Sequence, residues 1–174
     1  TPAIVRCGGK FRVHPMEPLR IGVLGAARIS DKAIIEPARN TGHRLVAVAA
    51  RDRSRAEQFA QDGNIERVLD SYQEVIDDPE VEAIYNPLPN GLHGPWNLRA
   101  IAAGKHVLSE KPSASNAAEA RDVRDAVNAS GVMFMEAFHY RYHPVMKRMI
   151  KLASSGELGE VTNIDVHMSF PNTD

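Results

Sequence analysis

One cysteine, Cys7, stands in a chain of 174 residues. No intrachain disulfide can form, and a reducing, cytoplasmic setting is the default expectation. Cys/His spacings of the zinc-binding kind are missing too, so no metal is expected. Apolar runs are short, and none approaches the roughly 18 residues that would cross a bilayer. Charge of one sign is not in excess: 21 Lys and Arg face 22 Asp and Glu, for a net charge of −1. That balance excludes a strong electrostatic footprint for nucleic acid or an anionic membrane surface. Repeats and low-complexity tracts are absent.

What is present is ordinary for a folded chain: 43% apolar and 25% charged residues, enough for one domain or one domain and a piece of a second. The opening TPAIVRCGGKFRVHP is basic, lacks periodicity and lacks the apolar centre of a signal peptide. Residues 1–18 are read as a disordered or non-native lead, with Met16 as the native start. From Leu19 short apolar runs alternate with helical stretches, the mark of βαβ units and a parallel sheet. The strands expected are 20–25, 45–50, a brief 67–69, 83–86, 106–109 and 132–138. Asn116, with Glu119 three residues on and Gly131 as a stop, makes a capped helix. Pro144 opens another, with Val145, Met146, Met149 and Ile150 apolar and Gly156 ending it. Thr162, Ile164, Val166, Met168 and Phe170 then alternate with polar residues, which describes a half-buried strand of an antiparallel sheet. Residues 19–156 are therefore expected to form a doubly wound α/β domain, and 157–174 to begin a second, antiparallel-sheet α/β domain whose remainder is absent.

The chemistry gathers at strand ends. IGVLGAARIS, residues 21–30, supplies a strand, a tight turn and a helix start, with Gly25, Ala27 and Ser30 at the places of the dinucleotide fingerprint GxGxxG. Backbone from Ala26 through Ala27 and Arg28 to Ile29 would offer free N–H groups to a phosphate. At the tip of the second strand, ARDRSRAEQFA sets Arg51, Asp52 and Arg55. An acid there suits the ribose of NAD, whereas guanidinium suits the 2′-phosphate of NADP. NADP is thus the expected cofactor, with NAD possible. The alternative is a solvated helix entrance. The 83–86 strand runs into NPLPNGLHGPW, a loop stiffened by proline that presents Leu88, Pro89, Asn90 and His93. KHVLSEKPSA ends the next strand on Glu110 and Lys111. Charges at a strand end are commonly surface pairs, but in an open α/β sheet ligands bind outside the carboxyl ends of the strands. Lys111 is therefore expected where a nicotinamide and its substrate would meet.

AGKHVLSEKP, YNPLPNGLH and MEAFHYRYHP together resemble the Gfo/Idh/MocA family of NAD(P)-dependent oxidoreductases, over roughly residues 19–170. The resemblance implies an N-terminal Rossmann domain, a C-terminal α/β domain with an open antiparallel sheet, and hydride transfer on a sugar, cyclitol or dihydrodiol. The second strand is similar to the NADP-using dihydrodiol and xylose dehydrogenase branch. By resemblance Lys111 is the catalytic lysine, able to hydrogen-bond the substrate oxygen, with Glu110 positioning it and His93 as a further candidate. Nucleotide contacts are expected from His93, Glu110, Lys111 and Arg141 besides the turn and strand-tip residues above. His139, Tyr140 and His143 are candidates for the cleft lining. The family's second proton-handling pair would lie beyond Asp174, so this chain is expected to be an inactive N-terminal fragment of a homo-oligomeric enzyme. A non-catalytic NADP-binding sensor or regulatory module is the alternative.

Overall fold

Five short apolar runs lie side by side as a parallel sheet: β3 (Arg20–Leu24), β4 (Arg44–Ala49), β5 (Ala83–Asn86), β6 (His106–Ser109) and β7 (Phe134–Glu136), in the order β4-β3-β5-β6-β7. This is a computed structural model, and it describes residues 17–167 and 169 with the backbone of 4–7 and 10–13. Those two segments, β1 (Ile4–Cys7) and β2 (Lys10–Val13), pair antiparallel in a sheet of their own. The rest of the lead, Met16 included, lies outside the described residues, as do 168 and 170–174.

The 67–69 run shrinks to one parallel bridge between Val48 and Val68, secured where Val48 N–H donates to Arg67 O and Leu69 N–H to Val48 O. The chain thus winds outward from β3 through β4 to Val68, then returns across β3 to β5, β6 and β7. That reversal creates a topological switch point beside β3, where doubly wound sheets take their ligands.

Both faces of the sheet are covered, which explains the near-continuous apolar character of its central strands. Ile21 and Val23 turn to one side with Ile34, Ile35, Val48 and Tyr85. Leu24 and Val46 turn to the other with Val75, Ile76, Val81, Ile84 and Ile101. Each such buried aliphatic side chain contributes about 1.5–3 kcal/mol. The approach on the second side is tight: a Cβ on Gly22 would stand 2.6 Å from Val75 Cγ1.

A π-helical turn, Asp31–Ile35, runs directly into α1 (Glu36–Thr41). Asp52 caps α2 (Arg53–Gly63) and Ser71 caps α3 (Tyr72–Asp77), while α4 (His93–Ala102) follows the β5 loop. The cap expected at Asn116 forms, its side chain accepting from Ala118 N–H and Glu119 N–H at the start of α5 (Ala117–Ser130). Glu119, however, accepts from Ser115 N–H instead of reaching back to Asn116.

Residues 138–174 make a second compact unit. It holds a 3-10 turn, His139–Tyr142, and α6 (Pro144–Ser154), which His143 caps through Nδ1. The strand expected over 162–170 is not formed by its described part: residues 161–167 carry no strand, and Ile164 and Val166 are exposed. An alternating segment becomes a strand only by hydrogen-bonding to a neighbour, and among the described residues no strand pairs with it. Met168 and Phe170 fall outside the description.

Candidate functional site

The turn after β3 forms because Gly25 takes φ = 92°, a conformation that side chains resist. Its N–H donates to Ala49 O at 2.7 Å, tying the turn to β4. A Cβ here would also crowd Leu88 Cδ2, 3.1 Å away. Ser30, in the third fingerprint place, is completely buried, so a small residue meets the packing demand that glycine meets elsewhere.

Beyond this turn opens a cleft of about 770 Å³. Of the expected nucleotide contacts, Gly25, Ala26, Ala27, Arg51, Asp52, Arg55, Leu88 and Pro89 line it. Arg28, Ile29 and Asn90 are exposed and do not. Glu110 and Lys111 follow β6 at the same sheet edge but stand outside the lining, and Arg141 belongs to the second unit. Sequence reasoning missed Asp70, Ser71 and Tyr72 from the α3 entrance, and Leu92 and Trp96 from the α4 side. The rings of Tyr72 and Trp96 stand perpendicular with centroids 5.1 Å apart, and the Arg99 guanidinium lies 4.5 Å from the centre of the Trp96 ring. A signal for the first group existed: whatever follows the Val68 bridge must emerge at the edge where ligands bind.

The charges are arranged asymmetrically. Asp52 Oδ1 accepts from Ser54 Oγ at 2.7 Å and from Arg55 N–H at 3.2 Å, which holds its carboxyl below its usual range. Arg53 pairs with Glu57 and Asp70. Arg55 donates from Nη2 to Ala26 O at 3.1 Å, bracing α2 against the turn. Arg51 is exposed, and its guanidinium has no ion-pair or hydrogen-bond partner among the described residues.

Behind the ends of β5 and β6 lies a buried polar lattice. Asn86 Nδ2 donates to Asn97 Oδ1 at 2.8 Å and to His93 O at 3.2 Å. Asn97 Nδ2 donates to Ser109 Oγ at 2.9 Å and to Ser113 O at 3.0 Å. His93 is only 1% exposed, and its Nδ1 lies 2.6 Å from Pro112 O. A carbonyl only accepts, so Nδ1 carries the hydrogen. Nε2 is buried with no hydrogen-bond partner among the described residues. Beginning α4, His93 is thus buried against the loop that follows β6 and is not among the residues that line the cleft.

Glu110 meets the backbone of Lys111 and the side chain of Tyr85. Its Oε1 accepts from the Tyr85 hydroxyl at 3.0 Å, and its Oε2 accepts from the Lys111 backbone N–H at 3.3 Å. Burial above all, then the Glu110 charge and hydrogen bond, push the Tyr85 hydroxyl well above its ordinary range. Ser30 Oγ is buried beside that hydroxyl without closing a hydrogen bond of normal geometry. The Lys111 side chain is exposed and makes no ion pair among the described residues. Among the described residues no group of three or more His, Cys, Asp or Glu could hold a metal ion, and no helix is long and apolar enough to cross a membrane.

A doubly wound sheet with a glycine turn, a helix start and a basic rim at its switch point defines a dinucleotide-binding α/β protein. Residues 19–138 match the Gfo/Idh/MocA family, described as an oxidoreductase family with an NAD-binding Rossmann fold, and the chain belongs to that family. It is 40% identical over 152 residues to D-xylose 1-dehydrogenase (NADP(+)) 2 of Haloferax volcanii, covering 87% of this chain and 46% of that one. Identity to trans-1,2-dihydrobenzene-1,2-diol dehydrogenase of Mus musculus is 39% over 145 residues, covering 82% of this chain and 44% of the relative. Among solved structures, KijD10, a 3-ketoreductase from Actinomadura kijaniata in complex with NADP, superposes with a TM-score of 0.71 at 32% identity, covering 83% of this chain and 46% of that chain. The chain therefore spans less than half the length of these relatives.

Proposed function

We propose that this chain supplies the nucleotide-binding portion of an NADP-dependent oxidoreductase that moves a hydride between the nicotinamide and a carbinol or carbonyl carbon of a sugar, cyclitol or dihydrodiol. The observation that carries the cofactor assignment is the asymmetry at the rim. Asp52 is committed to capping α2, while Arg51 beside it keeps its donors for a ligand. A ribose-binding acid is thus withdrawn and a phosphate-binding guanidinium offered. The residues present fit the group: the turn at Gly25 leaves no room for a side chain, which lets backbone approach a pyrophosphate, and Tyr72, Leu88 and Trp96 give an apolar wall. When bound, the nicotinamide supplies the hydride chemistry. Lys111, at the same sheet edge, donates a hydrogen bond to the substrate oxygen and steadies charge developing there. Glu110 assists through the Lys111 backbone. The substrate class follows the names of the dehydrogenase relatives, and hydride transfer is proposed for the whole protein. Assembly as a homo-oligomer rests on the family resemblance, and sedimentation velocity tests it.

Calorimetric titration of the chain with NADP and NAD tests the cofactor reading. NADP should bind more tightly, and Arg51→Asp should erase or invert the preference, since a charge-assisted bond to phosphate is worth about 1.5–3 kcal/mol. Equal affinity for both nucleotides, before and after the substitution, overturns it.

A further inference from the structure

Lys111 ends in solvent with no partner to hold its ammonium, so the position of that amine is inherited from its backbone. Three points of this backbone are held from beneath. His93 donates to Pro112 O, Glu136 Oε1 accepts from Ser113 N–H at 2.9 Å, and Asn97 reaches both Ser109 and Ser113. The Asn97 amide spans the whole Glu110, Lys111, Pro112 segment with one side chain, while Glu136 ties Ser113 N–H to the β7 strand that pairs with Ser109.

The direction of every bond in the lattice is dictated from its ends. Leu88 N–H can only donate, at 3.3 Å, so it meets Asn86 Oδ1. Asn86 must then turn Nδ2 toward Asn97, which answers with Oδ1 and aims its own Nδ2 at the loop. There Ser113 O can only accept, and Ser109 Oγ accepts because its hydrogen goes to Glu110 O at 3.1 Å. Asn86, Asn97 and Ser109 are all fully buried, so the bonds among these three side chains are shut off from water, while Ser113 is half-buried. Aspartate at 97 could answer Asn86 but could not donate to Ser113 O, and leucine could do neither.

We propose that Asn97 is a positioning residue: it clamps the ends of the Glu110, Lys111, Pro112 segment and so sets where the Lys111 amine stands. The catalytic consequence rests on the reading of Lys111 given above; the clamp itself does not.

Two measurements on the 174-residue chain test it. Amide hydrogen exchange, read by mass spectrometry, should rise about tenfold at Glu110, Lys111 and Ser113 in Asn97→Leu, the size of one net hydrogen bond, with β3 and β4 unchanged. Acetic anhydride labelling of Lys111 should be slowed by bound NADP in the unsubstituted chain. That shielding should be lost in Asn97→Leu, while NADP affinity measured by calorimetry stays within about threefold, since Asn97 does not line the cleft. If Asn97→Leu does not fold, Ser109→Ala, which removes one arm of the clamp, should show the same local pattern at smaller size. Exchange that stays at the unsubstituted rate around Lys111, or rises equally across the sheet, overturns the clamp. Shielding that survives local loosening overturns the claim that the clamp sets the amine. If NADP fails to shield Lys111 in the unsubstituted chain, the placement of Lys111 by the cofactor fails, and with it the setting of the amine for chemistry; the exchange result still decides the clamp.

Discussion

Tyr85 on β5 donates its hydroxyl hydrogen to Glu110 just past the end of β6, at 3.0 Å, joining two adjacent strands exactly one carboxylate away from Lys111's backbone. Because the buried hydroxyl resists ionising, it links stability to pH in the alkaline range. The folded value lies above the ordinary value of 10.0, so the contribution is whole below that value. As pH climbs past it, the unfolded chain loses the proton first and stability falls, by at most about 1.4 kcal/mol per pH unit. Tyr85→Phe should remove that alkaline slope. At neutral pH it should cost about 1–3 kcal/mol, the worth of a hydrogen bond to a charged acceptor. Urea unfolding of both proteins at neutral and alkaline pH measures the two effects.

Gly22→Ala should destabilise the chain by about 1–3 kcal/mol through overpacking, because the added methyl meets Val75 and Val81 inside the core. The urea midpoint should fall with an unchanged slope. A variant as stable as the original would mean that α3 can retreat from β3 without loss.

Gly25→Ala should affect fold and ligand together. The backbone conformation costs alanine on the order of 1–3 kcal/mol, and the methyl meets Leu88 in the cleft. Thermal unfolding should register the first effect and calorimetry with NADP the second. Retained affinity would place the nucleotide elsewhere.

Lys111→Ala should separate binding from chemistry. In a chain of the relatives' full length, turnover with NADP of whichever sugar, cyclitol or dihydrodiol supports the unsubstituted protein should fall about a hundredfold or more, the scale of losing a proton-handling group. Cofactor affinity should stay within a few fold, since Lys111 does not line the cleft. Normal turnover would return Glu110 and Lys111 to the status of an ordinary strand-end pair of charges.

The sheet was legible because a strand buried on both faces writes itself as an apolar run: β3, β4, β5 and β6 lie within a residue of expectation at either end. The Asn116 cap and the turn at Gly25 were legible for the same reason, being decided by neighbours in the chain. Partnerships across the fold were not. Nothing near Glu110 in sequence says that its carboxylate meets Tyr85. Nothing around His93 says that α4 carries the ring beneath the β6 loop, because that depends on which face of a short helix meets the sheet. Tyr72 and Trp96 meet only because α3 and α4 are brought to one edge by strands that are not consecutive in the chain. Residues 161–167 had the alternation of a strand, but alternation describes two faces and cannot supply the neighbour that makes a strand.

Trp96 is the sole tryptophan of the chain, and it forms part of the cleft wall, fixed edge-to-face against Tyr72 and beneath the Arg99 guanidinium. All indole emission of this chain therefore originates at one point in the cleft wall. A reduced nicotinamide absorbs where indole emits, so its arrival in the cleft would drain that emission by energy transfer, whereas the oxidised form, which does not absorb there, would not. The 174-residue chain thus carries its own optical reporter of the reduced nucleotide in the cleft, with no label to attach.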